Sequence, residues 1–300
     1  KEDKVPFLLE AMNDATFGGF SRKTLCCFMA GTGIGKTLIM TSLTTDYIKS
    51  GYNVLYITLE MEEKRIALRA DANLMDIPIG DFGRCENGKH VVSIDDLVEK
   101  FENIKNNKKL GRLIIKEFPT GTINSLQIRA IIKELKQKQK FKADVIIVDY
   151  INLMNSSRVS AKTANTYNVI KSIAEELRGI AVEENSIIIT ATQTNRDGIG
   201  GNEVALDKVS ESAGLPHTTD FFCGLFQTEE QREHGIYILK ILKNRFAGNV
   251  NKKIAMGVDY NFMRFYQLNT EEQDNIIEND NIDTDIETST PEFRRRRTRR

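Results

Sequence analysis

Cysteine, long apolar runs and net charge are all scarce in this chain, and each scarcity closes off a class of function. There are four cysteines, Cys26, Cys27, Cys85 and Cys223, and no C-x-x-C pair. That spacing fits neither a disulfide framework nor a zinc site, so the thiols are expected to be buried apolar groups in a reducing, cytoplasmic compartment. No run of about 18 apolar residues exists, so no membrane span is expected. The first residues, KEDKVPF, are charged, which argues against a signal peptide, and the missing initiator Met suggests a processed or excised fragment. The 42 Lys and Arg are balanced by 42 Asp and Glu. Nucleic-acid-binding domains are often strongly basic, so any such contact here has to come from a local patch. No internal repeat is visible.

What is present is an alternation of short apolar runs and helical periodicity. The 300 residues are enough to bury a sizeable core. Apolar runs at 25–30, 53–59, 112–118, 144–150 and 186–192 have strand length. Helical patterns follow them, beginning at Lys36-Thr37 and at Glu60-Met61-Glu62, then near 97–104, from the 122–125 cap to about 140, and over 167–184. Strands then cluster at 221–227, 236–242, 252–258 and 262–268, the last two as a hairpin through 259–261. This predicts a single α/β domain at 25–270 with a mostly parallel central sheet and antiparallel additions at its C-terminal end. Residues 1–24 read as a lead-in with a short amphipathic turn at Phe7 to Met12. Residues 271–293 are acidic, Asn-rich and poor in aromatics, so disorder is expected there. The last residues, RRRRTRR, are either a solvated tail or an electrostatic anchor.

The first strand runs into Ala30-Gly31-Thr32-Gly33-Ile34-Gly35-Lys36-Thr37 and then a helix. A glycine-rich turn between strand and helix forms a nest of backbone N–H groups, and the helix N-terminus adds positive partial charge. Lys36 would reach the β- and γ-phosphates of a bound ATP or other NTP, and the Thr37 hydroxyl would hold Mg²⁺. The strict pattern wants glycine at position 30, where alanine stands. Asp149 ends the apolar strand IIVD, where the second Mg²⁺-holding carboxylate of such sites sits. Glu60 ends the strand after the loop's helix, either as the base that polarises the attacking water or as a helix-start acid. Gln193 follows SIIITAT, placed to contact the γ-phosphate. Lys243 and Arg245, two residues apart on an extended segment, project to one side. They could meet a phosphate on a neighbouring subunit as a trans-acting arginine finger.

In this order the motifs resemble those of the ATPase domain of DnaB-type hexameric replicative helicases, particularly the T-even-type phage branch. They are AGTGIGKT at 30–37, TLEM at 58–61, DVIIVDYINLM at 144–154, ATQTNR at 191–196, DKVSESAGLPHTTDFF at 207–222 and LKNRFAG at 242–248. The family's loops commonly begin with a residue other than glycine, in agreement with Ala30. The resemblance covers about residues 5–268 and does not include the family's N-terminal domain, used in ring assembly and primase contact. It implies a RecA-like P-loop NTPase core, a homo-hexameric ring with NTP between subunits, and 5′-to-3′ movement on single-stranded DNA. A primase and a helicase loader would be partners, and the compartment would be the host cytoplasm if the gene is a phage's. It further implies Glu60 as base, Gln193 as γ-phosphate sensor, and Arg245 with Lys243 as the trans pair. The DNA-facing loop would be Ser210, Glu211, Ser212, Ala213 and Gly214. Many family members have arginine where Ser210 stands, so Arg158, Lys162, Arg196 and Lys208 in nearby loops are candidates to supply the missing charge. A RecA-type recombinase and a non-motor ATP-binding regulator share the core and remain alternatives.

Overall fold

The computed structural model describes residues 3–160, 164–193 and 214–288. In chain order the elements are β1 (Lys4–Val5), α1 (Glu10–Thr16), β2 (Phe20–Ser21), β3 (Thr24–Ala30), α2 (Lys36–Lys49), β4 (Val54–Thr58), α3 (Glu63–Met75), β5 (Cys85–Glu86), β6 (Lys89–His90), α4 (Ile94–Asn106) and β7 (Leu113–Glu117). They continue with α5 (Ser125–Gln139), β8 (Val145–Asp149), α6 (Thr166–Glu184), β9 (Ile187–Gln193), α7 (Gly214–Thr218), β10 (Phe221–Phe226), α8 (Glu229–Glu233), β11 (Ile236–Asn244), β12 (Lys253–Asp259), β13 (Arg264–Gln267) and α9 (Thr270–Thr288).

Nine strands form one sheet in the order β13-β12-β11-β10-β3-β9-β8-β4-β7. The six from β10 to β7 run parallel, and β11, β12 and β13 add antiparallel at one edge. The predicted α/β class, the parallel centre and the late antiparallel strands are therefore all present. Alternation of side chains divides β3 between two cores. Cys26, Phe28 and Ala30 face the layer that holds α1 and α2, while Leu25, Cys27 and Met29 face the layer of α5 and α6. Covered on both faces, β3, β4 and β8 have to be apolar throughout, which is why their sequences read as continuous runs.

The helix α2 is buried on nearly every side. Two of its threonine hydroxyls are satisfied inside the helix: Thr41 donates to the Thr37 carbonyl at 2.7 Å and Thr44 to that of Met40 at 2.8 Å. Between β3 and β4 the chain crosses over β9 and β8, so the turn after β3 lies at a topological switch point on the carboxyl edge, where open α/β sheets bind ligands.

The lead-in packs on its own chain: Phe7, Leu9 and Met12 join the core. The expected burial holds for Cys26, Cys27 and Cys223, whereas Cys85 is exposed in the small β5–β6 hairpin. The acidic stretch also departs from expectation, being helical as α9. Composition suggests disorder, but Asn269 and Glu272 cap the helix reciprocally, and Asp280 pairs with Lys253 of β12 at 2.6 Å. Among the described residues no helix is long and apolar enough to cross a membrane.

Candidate active site

Four strand ends build the site. Register sets Ala30 beside Gln193, and Thr58 beside both Asp149 and Glu117, so the loops after β3, β4, β8 and β9 leave the same edge. The turn after β3 needs glycine for two reasons. Gly33 and Gly35 have φ of 74° and 111°, and a Cβ on Gly35 would lie 2.9 Å from the Tyr237 hydroxyl oxygen.

A cavity of about 360 Å³ opens over this turn, walled by Thr32, Gly33, Lys36, Thr37, Glu60 and Gln193. Gly35 also faces it, Gly31 lies below, its carbonyl 3.4 Å from Lys36 Nζ, and Ile34 turns into the core. The Gln193 amide donates to Thr32 Oγ1 at 2.6 Å and accepts from the Tyr150 hydroxyl at 3.3 Å. Lys36 is buried to 9 % exposure and sits 5.3 Å from the Tyr150 ring centroid. Burial lowers its pKa, opposed by the negative charges of Glu60 and Asp149.

Glu60 is exposed at the tip of a turn that Thr58 shapes from both ends, its hydroxyl donating to the Met61 carbonyl at 2.8 Å and accepting from the Met61 N–H at 3.2 Å. Asp149 lies behind the cavity wall, 1 % exposed. Its Oδ2 accepts from the Tyr56 hydroxyl at 2.7 Å, whereas Oδ1 is buried and accepts no hydrogen bond of ordinary geometry. Burial raises its pKa, against the hydroxyls of Tyr56 and Thr37. A buried carboxylate oxygen with no hydrogen bond of ordinary geometry, beside the Thr37 hydroxyl, is an oxygen donor set that a hard divalent cation such as Mg²⁺ takes.

Arg245 is elsewhere. Phe221 pairs with Cys26 on one side and Asn244 on the other, so Arg245 leaves the sheet at the amino edge of the parallel strands. The four residue steps from Cys26 to Ala30 alone put about 13 Å of strand between Arg245 and the glycine-rich turn. Arg245 pairs with Asp220 at 3.0 Å and lines a second cavity with Arg178 and His217. Lys243, expected beside it on one phosphate, instead points its ammonium at the carbonyls of Pro216 and His217 at the end of α7.

Arg158, expected at a DNA phosphate, is paired with Glu175 at 3.1 Å and Glu176 at 3.6 Å. Gly214 opens α7. Lys162, Arg196, Lys208, Ser210, Glu211, Ser212 and Ala213 lie outside the described residues. Arg69, Tyr260 and Met263 also line the first cavity, and Arg232 donates to the Gly33 carbonyl at 3.2 Å. None of these is marked by a motif, because they reach the loop from α3, α8 and the β12–β13 turn.

Known proteins resemble this chain in sequence and fold. The family model described as DnaB-like helicase C terminal domain matches residues 8–267. The chain belongs to that family. This DnaB-like domain is 38% identical over 270 residues to the DnaB-like replicative helicase of Enterobacteria phage T4, covering 89% of this chain and 56% of the T4 protein. Against the Replicative DNA helicase DnaB of Helicobacter pylori (strain ATCC 700392 / 26695) it is 26% identical over 212 residues, covering 70% and 41%. A solved DnaB-like replicative helicase, described with its interactions with primase, superposes with a TM-score of 0.73 at 19% identity, covering 90% of this chain and 64% of that one. A second, solved as an ATPase domain, gives 0.73 at 20% identity, with 90% and 93% covered. At such identities the likeness establishes the fold, which is RecA-like as expected. The DnaB-like domain spans about half the length of the curated relatives it matches. The recombinase alternative is not favoured, since the family and these relatives are replicative helicases.

Proposed function

We propose that this domain is the motor of a replicative DNA helicase. It hydrolyses ATP or another NTP between adjacent subunits of a homo-hexamer and moves 5′-to-3′ on single-stranded DNA, unwinding the duplex in the host cytoplasm. The observation that carries this reading is the split of the machinery. The glycine-rich loop, Glu60 and Gln193 surround one cavity, while Arg245 lies at the opposite edge of the same sheet. The separation of Arg245 from its own loop across the sheet supports its supply by a second subunit.

In the assembled site the N–H groups of 31–37 and the Lys36 ammonium hold the triphosphate. Thr37 and Asp149 would hold Mg²⁺, which when bound screens the charge between the β- and γ-phosphates. Glu60, exposed above them, takes up the proton of the attacking water as it closes on the γ-phosphorus. Arg245 of the next subunit meets the negative charge that spreads over the equatorial oxygens in the transition state. Gln193 gains a γ-phosphate contact at the expense of Thr32. Because it ends β9, its release after hydrolysis acts directly on the segment that follows. That segment carries Arg196, Lys208 and 210–214, which we assign with Arg158 and Lys162 to the DNA. Arg158 has to exchange its Glu175 and Glu176 partners for a phosphate to take part. A primase, as in the primase-interacting relative, and a loader are the expected partners.

The test is the ATP turnover rate with and without single-stranded DNA, on a sample whose assembly mass is measured. Stimulation roughly tenfold or more by DNA, on a six-subunit particle, is the expected result. A monomer whose turnover ignores DNA would sink the motor reading and revive the regulator.

A further inference from the structure

Asp220 stands at the amino edge of the sheet, immediately before β10, and is 4 % exposed. Four donors converge on its carboxylate. Oδ2 accepts the Leu25 N–H at 3.1 Å and Arg178 Nε at 3.2 Å, while Oδ1 accepts Arg178 Nη2 at 3.2 Å and Arg245 Nη1 at 3.0 Å. The backbone repeats the connection: the Asp220 N–H donates to the Leu25 carbonyl at 2.8 Å, and the Arg245 N–H donates to the Asp220 carbonyl at 3.0 Å. One residue thus holds Arg245 at both ends, main chain and guanidinium, and ties both to the root of β3.

The arrangement leaves the guanidinium usable. Arg245 commits one nitrogen to Asp220 and its side chain stays 52% exposed. Its remaining donors face a cavity of about 680 Å³ that Lys171, Arg178 and His217 also line. Charge is arranged in the same sense. A one-to-one ion pair would cancel the field Arg245 has to exert on a phosphoryl group. Here one carboxylate serves two guanidiniums, so the group is oriented while a net positive charge remains. The glutamates at this cavity are engaged with other arginines, Glu183 with Arg129 and Glu175 with Arg158.

We propose that Asp220 is the positioning residue for Arg245. It fixes the direction of the guanidinium toward the triphosphate of the next subunit, and Arg178 orients Asp220 in turn. This rests on the trans-finger reading above. A side chain as long as arginine samples many rotamers, and an error of about 1 Å at the reacting group can cost about a hundredfold in rate. A buried acceptor fixed by the Leu25 N–H removes that freedom before the subunits meet.

Asp220→Asn keeps an acceptor for Leu25 but removes the charge that aligns Arg245. The expected result, in assembled rings with saturating single-stranded DNA, is a kcat roughly ten- to a hundredfold lower with KM for ATP unchanged within about twofold, because the loop half of the site is untouched. Arg178→Gln changes a more exposed residue and should show the same signature with a smaller loss. It decides the matter if Asp220→Asn fails to assemble. Combined with Arg245→Lys, Asp220→Asn should add little to the loss of Arg245→Lys alone, since both act through one guanidinium. Wild-type kcat in Asp220→Asn and Arg178→Gln rings, or losses that multiply with Arg245→Lys and follow a fall in melting temperature, would overturn the assignment. An Arg245→Ala ring with normal turnover would instead overturn the trans-finger reading beneath it.

Discussion

At the scale of single residues, the chain keeps ionisable groups where burial works against their charge. Asp46 is the clearest outside the site. It sits on α2, 6 % exposed, and burial pushes its carboxyl up to about 7, with Lys49 and Arg264 pulling only partly the other way. An acid whose folded pKa exceeds its unfolded value binds more protons folded than unfolded between the two, so stability falls as pH rises from about 4 through 7. Asp46→Asn should therefore raise the melting temperature by a few degrees at pH 8 and give almost no gain at pH 4. A gain of equal size at both pH values would show that the carboxylate charge is not the cause. The site was legible in the sequence to the extent that backbone chemistry dictates it. Gly33, Gly35, Lys36 and Thr37 are forced by the turn itself, and Asp149 by its place at the end of an apolar strand. Tyr56, Arg69, Tyr260 and Asp220 were not legible, because their roles exist only once strands far apart in sequence are neighbours.

Among the elements, α6 and the loop entering it depend on one buried acid. Glu176 accepts hydrogen bonds from Ser125, Ser156, Ser157 and Ser172, joining α5, α6 and the segment after β8. Burial alone would raise its pKa, yet the hydroxyls of Ser125, Ser156 and Ser157 and the Ser157 N–H outweigh it and hold the carboxyl down to about 2. The sign is opposite to that of Asp46. This stabilisation is fully present above the ordinary value of 4.5 and is lost as pH falls toward 2. Glu176→Leu strands the serine hydroxyls and should cost about 3 kcal/mol at pH 7, read by denaturant unfolding, with the gap from wild type shrinking at pH 3. An undiminished gap at pH 3 would mean that the side chain acts through packing. Strands of the parallel centre were readable because burial on both faces forces unbroken apolar runs. The helix α8 was overlooked although Thr228 and Gln231 carry a capping-box pair, since five residues show no periodicity. The acidic α9 departs from its composition because composition weighs average polarity and does not see the Lys253–Asp280 anchor.

For the whole molecule, the proposed motor requires that neither edge of the sheet hold a complete site. The loop edge would bind and position the nucleotide; the amino edge carries Arg245 on Asp220. Two subunits each dead for a different reason should then repair one another. Lys36→Ala subunits lack a working loop but keep Arg245, and Arg245→Ala subunits lack the finger but keep the loop. Each alone should give no measurable hydrolysis. In rings assembled from equal amounts of both, roughly a quarter of interfaces join an intact loop to an intact finger if neighbours are drawn at random. Measured as a single turnover, which needs no coordination around the ring, roughly one ATP should be cleaved for every four subunits present. The reading predicts no such recovery if both groups act within one chain, because every subunit then lacks one of them. Mixed rings of confirmed mass that cleave no ATP would place the finger back in its own subunit, against the opposite-edge geometry of this sheet.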